Sequence, residues 1–436
     1  MRPFVEVMFQ RRTARTSTSE GSNASWNEEL LLPFHPPNDD FSPTALQKIV
    51  DVIHVTLFDE VVTDISEAEE ETTTTKIIRQ RVVNKWLGCI KIPFTTLFFN
   101  GKIEGTFRVQ MPTVLLGYRK SKEGYLNDQF RSTGNHSYLH FYLTLDPSLS
   151  PADPIRERFD SSESEQLLRK ADEFVERFNS RFPDRSEVTT TVINLQGKSV
   201  FVTRFVRPLT PPMELMIGPN WQTASSAARV ARFVACIPNV SDSAFFAGMC
   251  DLWSTCDQFL QMMTGDEEEH AVLLLNFFLA MGKMAWLVLG IAIPEGPTSY
   301  VLTKEGLAGD LWLWNPSSGV RYSVKDSFCP MTAIHSLIND QNIWLNAQTH
   351  AQPAQMNFDL ANGRDWSAFF GGNFPNPGLS SVQPETLHYA PVDEVYVKSM
   401  SEKLERVVRE NLMRWRPKQI TRWNRLCSQV SQRKAV

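Results

Sequence analysis

The chain has 436 residues, 42% apolar and 21% charged, with a formal net charge of −5 and a pI near 6.0. This is ordinary globular material, enough for two or three domains with sizeable cores, and the acidic balance leaves no footprint for nucleic acid. Six scattered cysteines (Cys89, Cys236, Cys250, Cys256, Cys329, Cys427), none in a C-x-x-C pair, signal neither a zinc site nor a disulfide framework, and no cofactor motif or signal peptide stands out. Reduced intracellular space fits that usage.

Residues 1–115 read as β structure. Pro3–Gln10 alternates around Phe4, Val5, Val7 and Phe9, and Trp26–Pro33 follows a Gly/Ser/Asn turn. Val52–Asp59, Trp86–Ile92 and Phe107–Met111 complete a set of short, evenly spaced strands, the pattern of a sandwich. Asp59, Glu60 and Asp64 form an acidic loop without the D-x-D spacing of a calcium site, which favours a solvated loop over a metal site. Ser66–Thr75 (SEAEEETTTT) is an acidic, low-complexity insertion.

Tyr138–Leu145 is one more strand, and Asp153–Glu163 a charged linker. Ser164–Phe182 places Leu167, Leu168, Ala171, Phe174, Val175 and Phe178 on one helical face. Val188–Ile193 and Ser199–Phe205 make a hairpin candidate over Gln196-Gly197. Ala227–Ile237 and a helix over Phe246–Met263 follow, in which Cys250 and Cys256 read as core thiols rather than nucleophiles.

The stretch Gly265–Gly319 organises the rest. Asp266 can cap a helix, Glu269 completes a capping-box spacing, and Glu267 and Glu268 suit the helix dipole. From Ala271 to Met281 the helix is apolar nearly all round, Asn276 excepted, so it should be buried on several sides, and Gly282 ends it. Ala285–Leu289, Ser299–Thr303 and Leu311–Trp314 read as strands. Ala271–Ile293 is long enough for a membrane span, but Lys283 would sit near its middle beside Gly282, and a buried helix turning into a strand explains the letters more simply.

After Gly319 the strand signals thin to Asn342–Asn346 and Met356–Leu360, and Phe370–Pro384 is a Gly/Pro/Asn loop. Ser399–Arg416 is helical, with Met400, Leu404, Val407, Val408, Leu412 and Trp415 on one side. From Lys403 to Lys434 ten Lys/Arg face two Glu, with Trp415 and Trp423 interleaved. Two readings stand for it: a packed terminal helix with a basic face, or a segment that meets an acidic lipid or protein surface.

A capped helix, a glycine and strands opening at Tyr300 and ending Trp314-Asn315-Pro316 resemble the core of the transglutaminase-like (papain-like) superfamily. "SNASWNEEL", "VTLFDE" and "WLGCIKIP" resemble a C2 domain entered at about its third strand, so the chain is expected to be the C-terminal part of a longer protein, or the product of an incomplete gene model. The wording "VACIPNVSD" (234–242), "CDLWSTCDQFL" (250–260), "GDEEEHAVLL" (265–274), "IPEGPTSYVLT" (293–303) and "NIWLNAQ" (342–348) resembles the coiled-coil and C2 domain-containing protein 2A family along most of the chain.

That resemblance implies an α+β multidomain fold: an incomplete C2-like β-sandwich at 1–150, a linker with helix and hairpin at 151–225, a transglutaminase-like domain at 226–395 and a basic helical segment at 396–436. Where active members of the superfamily carry Cys, His and Asp, this sequence offers Glu269 or His270, then Tyr300, then Asn315, a degenerate triad without nucleophile or base. The expectation is therefore a non-enzymatic scaffold of the ciliary transition zone or basal body, partnered by other transition-zone proteins. The alternatives are a cysteine peptidase or transglutaminase-type enzyme with a non-standard triad, using Cys250 or Cys256 with His270, and a calcium-dependent membrane-binding C2 protein. If the triad reading holds, Tyr300 and Asn315 face the first turn of the Asp266–Met281 helix across one concavity.

Overall fold

The computed structural model describes all residues except 67–77, 113–114, 116–117, 119–135, 150–158, 184, 186–187, 217–223, 243–250, 307–308, 417–419, 422 and 424–436. The chain divides into two compact units, Met1–Leu387 and His388–Val436.

The first unit opens with β1 (Pro3–Phe9), β2 (Arg12–Arg15), a single turn α1 (Pro43–Leu46) and the long strands β3 (Val52–Ser66) and β4 (Ile78–Pro93), in the antiparallel order β2-β1-β3-β4. Then come α2 (Phe94–Asn100) and a separate pair, β5 (Lys102–Arg108) and β6 (Tyr138–Thr144). Val5, Ile53 and Ile92 of the first sheet and Ile103, Phe107 and Leu139 of the second share one core, with Phe94 and Phe98 of α2 between them. The expected strand over Trp26–Pro33 does not form. Backbone N–H groups of Thr16 and Ser19 already bond to the Val5 and Pro3 carbonyls of β1, and that of Gly21 to the Met1 carbonyl before it, so no ladder edge remains for it. Trp26 docks instead, its indole N–H donating to the Pro3 carbonyl at 3.3 Å. The acidic insertion lies mostly outside the described residues.

α3 (Glu165–Arg181) is capped by Ser164 and buries Leu167, Ala171, Phe174 and Phe178. β7 (Thr191–Asn194) and β8 (Ser199–Phe201) form the expected hairpin, and α4 (Ala224–Val234) follows. In place of one helix over 246–263, the described residues hold a short strand, β9 (Leu252–Trp253), parallel to β7, and then α5 (Cys256–Met262). Thr255 and Gln258 form a capping box that starts a new helix there.

α6 (Glu267–Ala280) carries the predicted Asp266–Glu269 capping box and buries every residue from Glu269 to Phe278. Gly282 sits at φ 72°, and Lys283 N–H reaches back to the Phe278 carbonyl at 3.0 Å, closing the helix as a Schellman turn. Next come β10 (Met284–Ala292), β11 (Gly296–Glu305), β12 (Asp310–Asn315), β13 (Val320–Ser323), β14 (Met331–Ile338), β15 (Ile343–Asn346) and β16 (Trp366–Ala368). They form an antiparallel sheet in the order β13-β12-β11-β10-β14-β15-β16. The sequence pattern missed β13 and β14. Irregularities after Leu289 and Ile291 interrupt the β10–β14 register and with it the period of two. At Gly290 an added Cβ would stand 2.1 Å from the Ala333 carbonyl oxygen, so only glycine fits there. Met356–Leu360 forms no strand.

One face of this sheet, through Val301 and Trp314, shares the main core with α3, α4, α5 and α6. The opposite face, through Tyr300, Leu302 and Leu313, packs with Met331, Ile334 and Trp366. The second unit holds α7 (Glu394–Trp415), in which no residue is buried.

Asn276, the polar exception inside α6, is fully buried. Its Oδ1 accepts from Arg207 N–H at 2.9 Å, and its Nδ2 donates to the Phe205 carbonyl at 3.0 Å. Asn276→Leu strands both backbone groups, at about 1–3 kcal/mol each. Urea unfolding should show a loss of roughly 2–4 kcal/mol; a loss inside measurement error would mean that Asn276 does not fix this segment.

Candidate functional site

The first turn of α6 is built from carboxylates. Asp266 caps it, accepting from Glu268 N–H at 3.3 Å. Glu269 Oε2 accepts from Asp266 N–H at 3.2 Å, and its Oε1 accepts from Ser254 N–H at 2.9 Å, so Glu269 ties the helix start to the β9–α5 junction. His270 is fully buried, edge-on to Phe259 at 4.8 Å between centroids, its ring nitrogens against the carbonyls of Asp266 and Ile237.

Tyr300 and Asn315 do meet. The β11–β12 register, with Val301 opposite Trp314, brings them across from each other. Asn315 Nδ2 lies 2.6 Å from the Tyr300 hydroxyl and 3.1 Å from Glu295 Oε1, and Asn315 Oδ1 accepts from Ser318 N–H at 3.0 Å. Both are buried on the sheet face opposite α6, while Ser299, next in the strand, turns to α6 and donates to Glu268 at 3.2 Å. The three expected positions therefore do not share one concavity. Glu269 and His270 are bonded elsewhere, and strand alternation puts Tyr300 on the far face.

The helix start nevertheless lies at this end of the sheet. Asn239 Nδ2 bridges Glu267 Oε1 and Ser317 Oγ, at 3.0 Å each, and Ser317 is two residues beyond Asn315. Glu295 was not foreseen. Its only sequence signal is a carboxylate in the turn between two strand runs. Its Oε2 and the Thr298 hydroxyl have no hydrogen-bond partner among the described residues.

Desolvation dominates the electrostatics here. Burial, with the Glu267 charge, pushes the Glu295 carboxyl up to about 7. Asp242 rises to about 6 and Asp251 to about 7, each by burial first and the Glu269 charge second. Asp251 keeps an exposed side, which tempers its shift, whereas Asp266 and Glu268 rise well above the usual carboxylate range for the same first reason. Carboxylate oxygens of Asp242, Asp251 and Asp266 lie within 4.8 Å of one another, a set that can hold a hard cation and can equally share protons. The acidic loop expected over Asp59, Glu60 and Asp64 does not form, because all three lie within β3 and pair with β4. Asp59 is buried, accepting from Arg2 N–H and the Tyr118 hydroxyl at 2.7 Å each, and Glu60 pairs with Arg2 at 3.2 Å.

Residues 251–369 match the CEP76 peptidase-like domain. Over 431 residues the chain is 34% identical to human Protein CC2D2B, and over 432 residues 28% identical to the Coiled-coil and C2 domain-containing protein 2A of Drosophila melanogaster. Each match covers 98% of this chain. Along nearly its whole length the chain is thus similar to coiled-coil and C2 domain-containing protein 2 relatives. It spans 30% and 31% of the length of those two relatives. Legionella pneumophila LapG resembles it at 15% identity over 31% of this chain and 75% of its own, with a TM-score of 0.26, too slight to carry an argument.

The peptidase-like match raises the question of a nucleophile. Its two cysteines are Cys256 and Cys329. Contrary to the sequence reading, Cys256 does open a helix, where a dipole would favour thiolate. Burial wins: Cys256 is 2% exposed and its thiol is pushed up to about 12, with Asn276 Nδ2 at 3.3 Å from the sulfur. Burial likewise pushes Cys329 up to about 12. Cys250 lies outside the described residues.

Two outcomes follow. Under native conditions at pH 7.5 (about one unit below the free-thiol value) a maleimide should label exposed Cys236 well before Cys256; rapid Cys256 labelling that His270→Ala abolished would reverse the assignment. Glu295 should also make stability pH-dependent. Its folded pKa of about 7 lies above the reference value of 4.5, so the native chain holds a proton that the unfolded chain releases, and stability falls as pH rises between those values. Glu295→Gln should flatten that fall in melts taken across the window; an unchanged slope would place the titration elsewhere.

Proposed function

We propose that this chain is a non-catalytic scaffold segment acting at the base of the cilium, in the transition zone or basal body, through protein–protein contacts. The observation that carries the non-catalytic part is the state of the peptidase-like stretch. Cys256 is a buried and Cys329 a half-buried thiol, both pushed up to about 12, Tyr300 and Asn315 are bonded to each other, and Glu269 and His270 are consumed by the helix cap and by backbone carbonyls. No nucleophile–base–orienter arrangement exists among the described residues. The ciliary part rests on kinship with the coiled-coil and C2 domain-containing proteins.

On this reading residues 1–150 are a C2-like module used for contacts, with Asp59 and Glu60 engaged in packing rather than calcium. Residues 151–225 form a linker with a helix and a hairpin, 226–395 a degenerate transglutaminase-like domain in which Tyr300 and Asn315 stand at former catalytic positions, and 396–436 a basic terminal segment. The partners are other transition-zone proteins.

The test has two arms. Purified chain should show no peptidase or transglutaminase turnover above a Cys256→Ser variant, and turnover lost in that variant would revive the enzyme. In ciliated cells, a proximity-labelling tag on the full-length protein should enrich proteins of the ciliary base; diffuse cytosolic labelling would overturn the location.

A further inference from the structure

α7 is 22 residues long, about 33 Å at 1.5 Å per residue, and no residue in it is buried. Its start is well made, since Asp393 accepts from the N–H groups of both Val395 and Tyr396 at 3.0 Å. A lone helix of this length draws most of its stability from a covered apolar face. Here that face exists and is open. At about 100° per residue, Val397, Met400, Leu404, Val408, Leu412 and Trp415 fall on one side. Leu404 is 57% exposed and Trp415 72%.

We infer that α7 lies on an anionic lipid surface, with its apolar face in the headgroup region. Three observations favour a bilayer over a protein groove. First, the apolar face runs the whole length of the helix and is built of Val, Met and Leu, with no single bulky anchor in its middle of the kind that a pocket would select. Second, Trp415 stands on this same face and is well exposed, and Trp beside Leu is usual on the apolar face of helices that lie in a membrane interface. Third, the charge is graded along the segment. Asp393 and Glu394 stand at the start, whereas between Lys403 and Lys434 ten Lys/Arg oppose two Glu, in a chain whose net charge is −5. A positive charge spread over that much sequence matches an extended anionic surface better than one acidic cleft.

The polar face fits the same placement. Glu402 and Glu410 project away from the apolar side, and Glu405 on its border is bonded by Arg409 at 3.0 Å. Arg409 also lies 4.8 Å over the ring of Trp423, which brings a second exposed indole back against the helix. Lys403 and Arg414, on the other border, have no partner among the described residues, and their long stems can reach along the apolar side while the charge stays at the headgroups. Among the described residues no helix is long and apolar enough to cross a membrane, so the segment lies on the surface rather than spanning it. The interaction needs no calcium.

The experiment is co-sedimentation of the full chain with vesicles of phosphatidylcholine alone and of phosphatidylcholine with phosphatidylserine at about one part in four, each with and without calcium. The chain should sediment with the anionic vesicles alone, equally with calcium and with chelator, and release as salt rises. Leu404→Glu with Val408→Glu should weaken the binding at least about tenfold, and Lys403→Glu with Arg414→Glu should weaken it without changing binding to neutral vesicles. All four residues are exposed, so thermal melts of the first unit should be unchanged. Equal binding to both vesicle types, binding that the two variants leave intact, or no binding would each overturn the inference. So would a concentration-dependent dimer lost in Leu404→Glu, which would make the occupant a second copy of this chain. The outcome is independent of the proximity-labelling result, because it uses lipid and purified protein only.

Discussion

α6 is apolar on every side, and a helix of that kind must be covered on every side. Sheet, α4, α5 and the segment through Phe205 and Leu209 supply the cover. The few polar groups on the helix then decide how the cover is attached. Asn276 at mid-helix bonds the 205–207 backbone, and Gln383 reaches the same Phe205 carbonyl from the far end of the unit at 2.9 Å. Glu269 at the helix start bonds Ser254. Each of these side chains satisfies a backbone group that burial would otherwise leave unpaired, so the hydrophobic requirement of one helix fixes the path of segments distant in sequence.

The same helix start shows two electrostatic effects in opposition. Three glutamates in the first turn suit the dipole, which stabilises an exposed charge there by about 0.3–1 kcal/mol. Burial and mutual repulsion act the other way, and the raised pKa values of Asp266 and Glu268 show which is larger. A site this negative is hostile to a thiolate. Glu269 and Asp257 both add to the upward shift of Cys256, beyond burial itself. The environment thus opposes sulfur nucleophilicity independently of whether a histidine is within reach.

The core was legible because its signals are local and redundant. The capping box Asp266–Glu269, the apolar run and Gly282 all mark the same helix, and the runs Ala285–Leu289 and Leu311–Trp314 after it contain no Gly, Pro, Asn or Asp. Trp26–Pro33 had a strand's composition and no edge to join, which is a property of the sheet rather than of the segment. β14 was lost to an irregular register, and α5 was merged with what precedes it because the Thr255 cap sits inside a continuous apolar pattern. The pairing of Tyr300 with Asn315 could be anticipated from strand order. Which face the pair occupies, and that Glu295 joins it, depends on where α6 lies across the sheet, and that is a tertiary fact.

α6 and α7 show the limit of periodicity from two sides. Both read as helices with apolar faces; one buries ten consecutive residues and the other none. What separates them in the sequence is charge. From Ala271 to Ala280 there is no charged residue, so α6 has no face that water could take, and its burial within the same chain follows. α7 alternates its apolar side with Lys, Arg and Glu, so water can hold one side and the other is left available. An amphipathic helix with no buried residue leaves its apolar side available to a further surface. The direction of its charge gradient bears on the sign of what that surface carries.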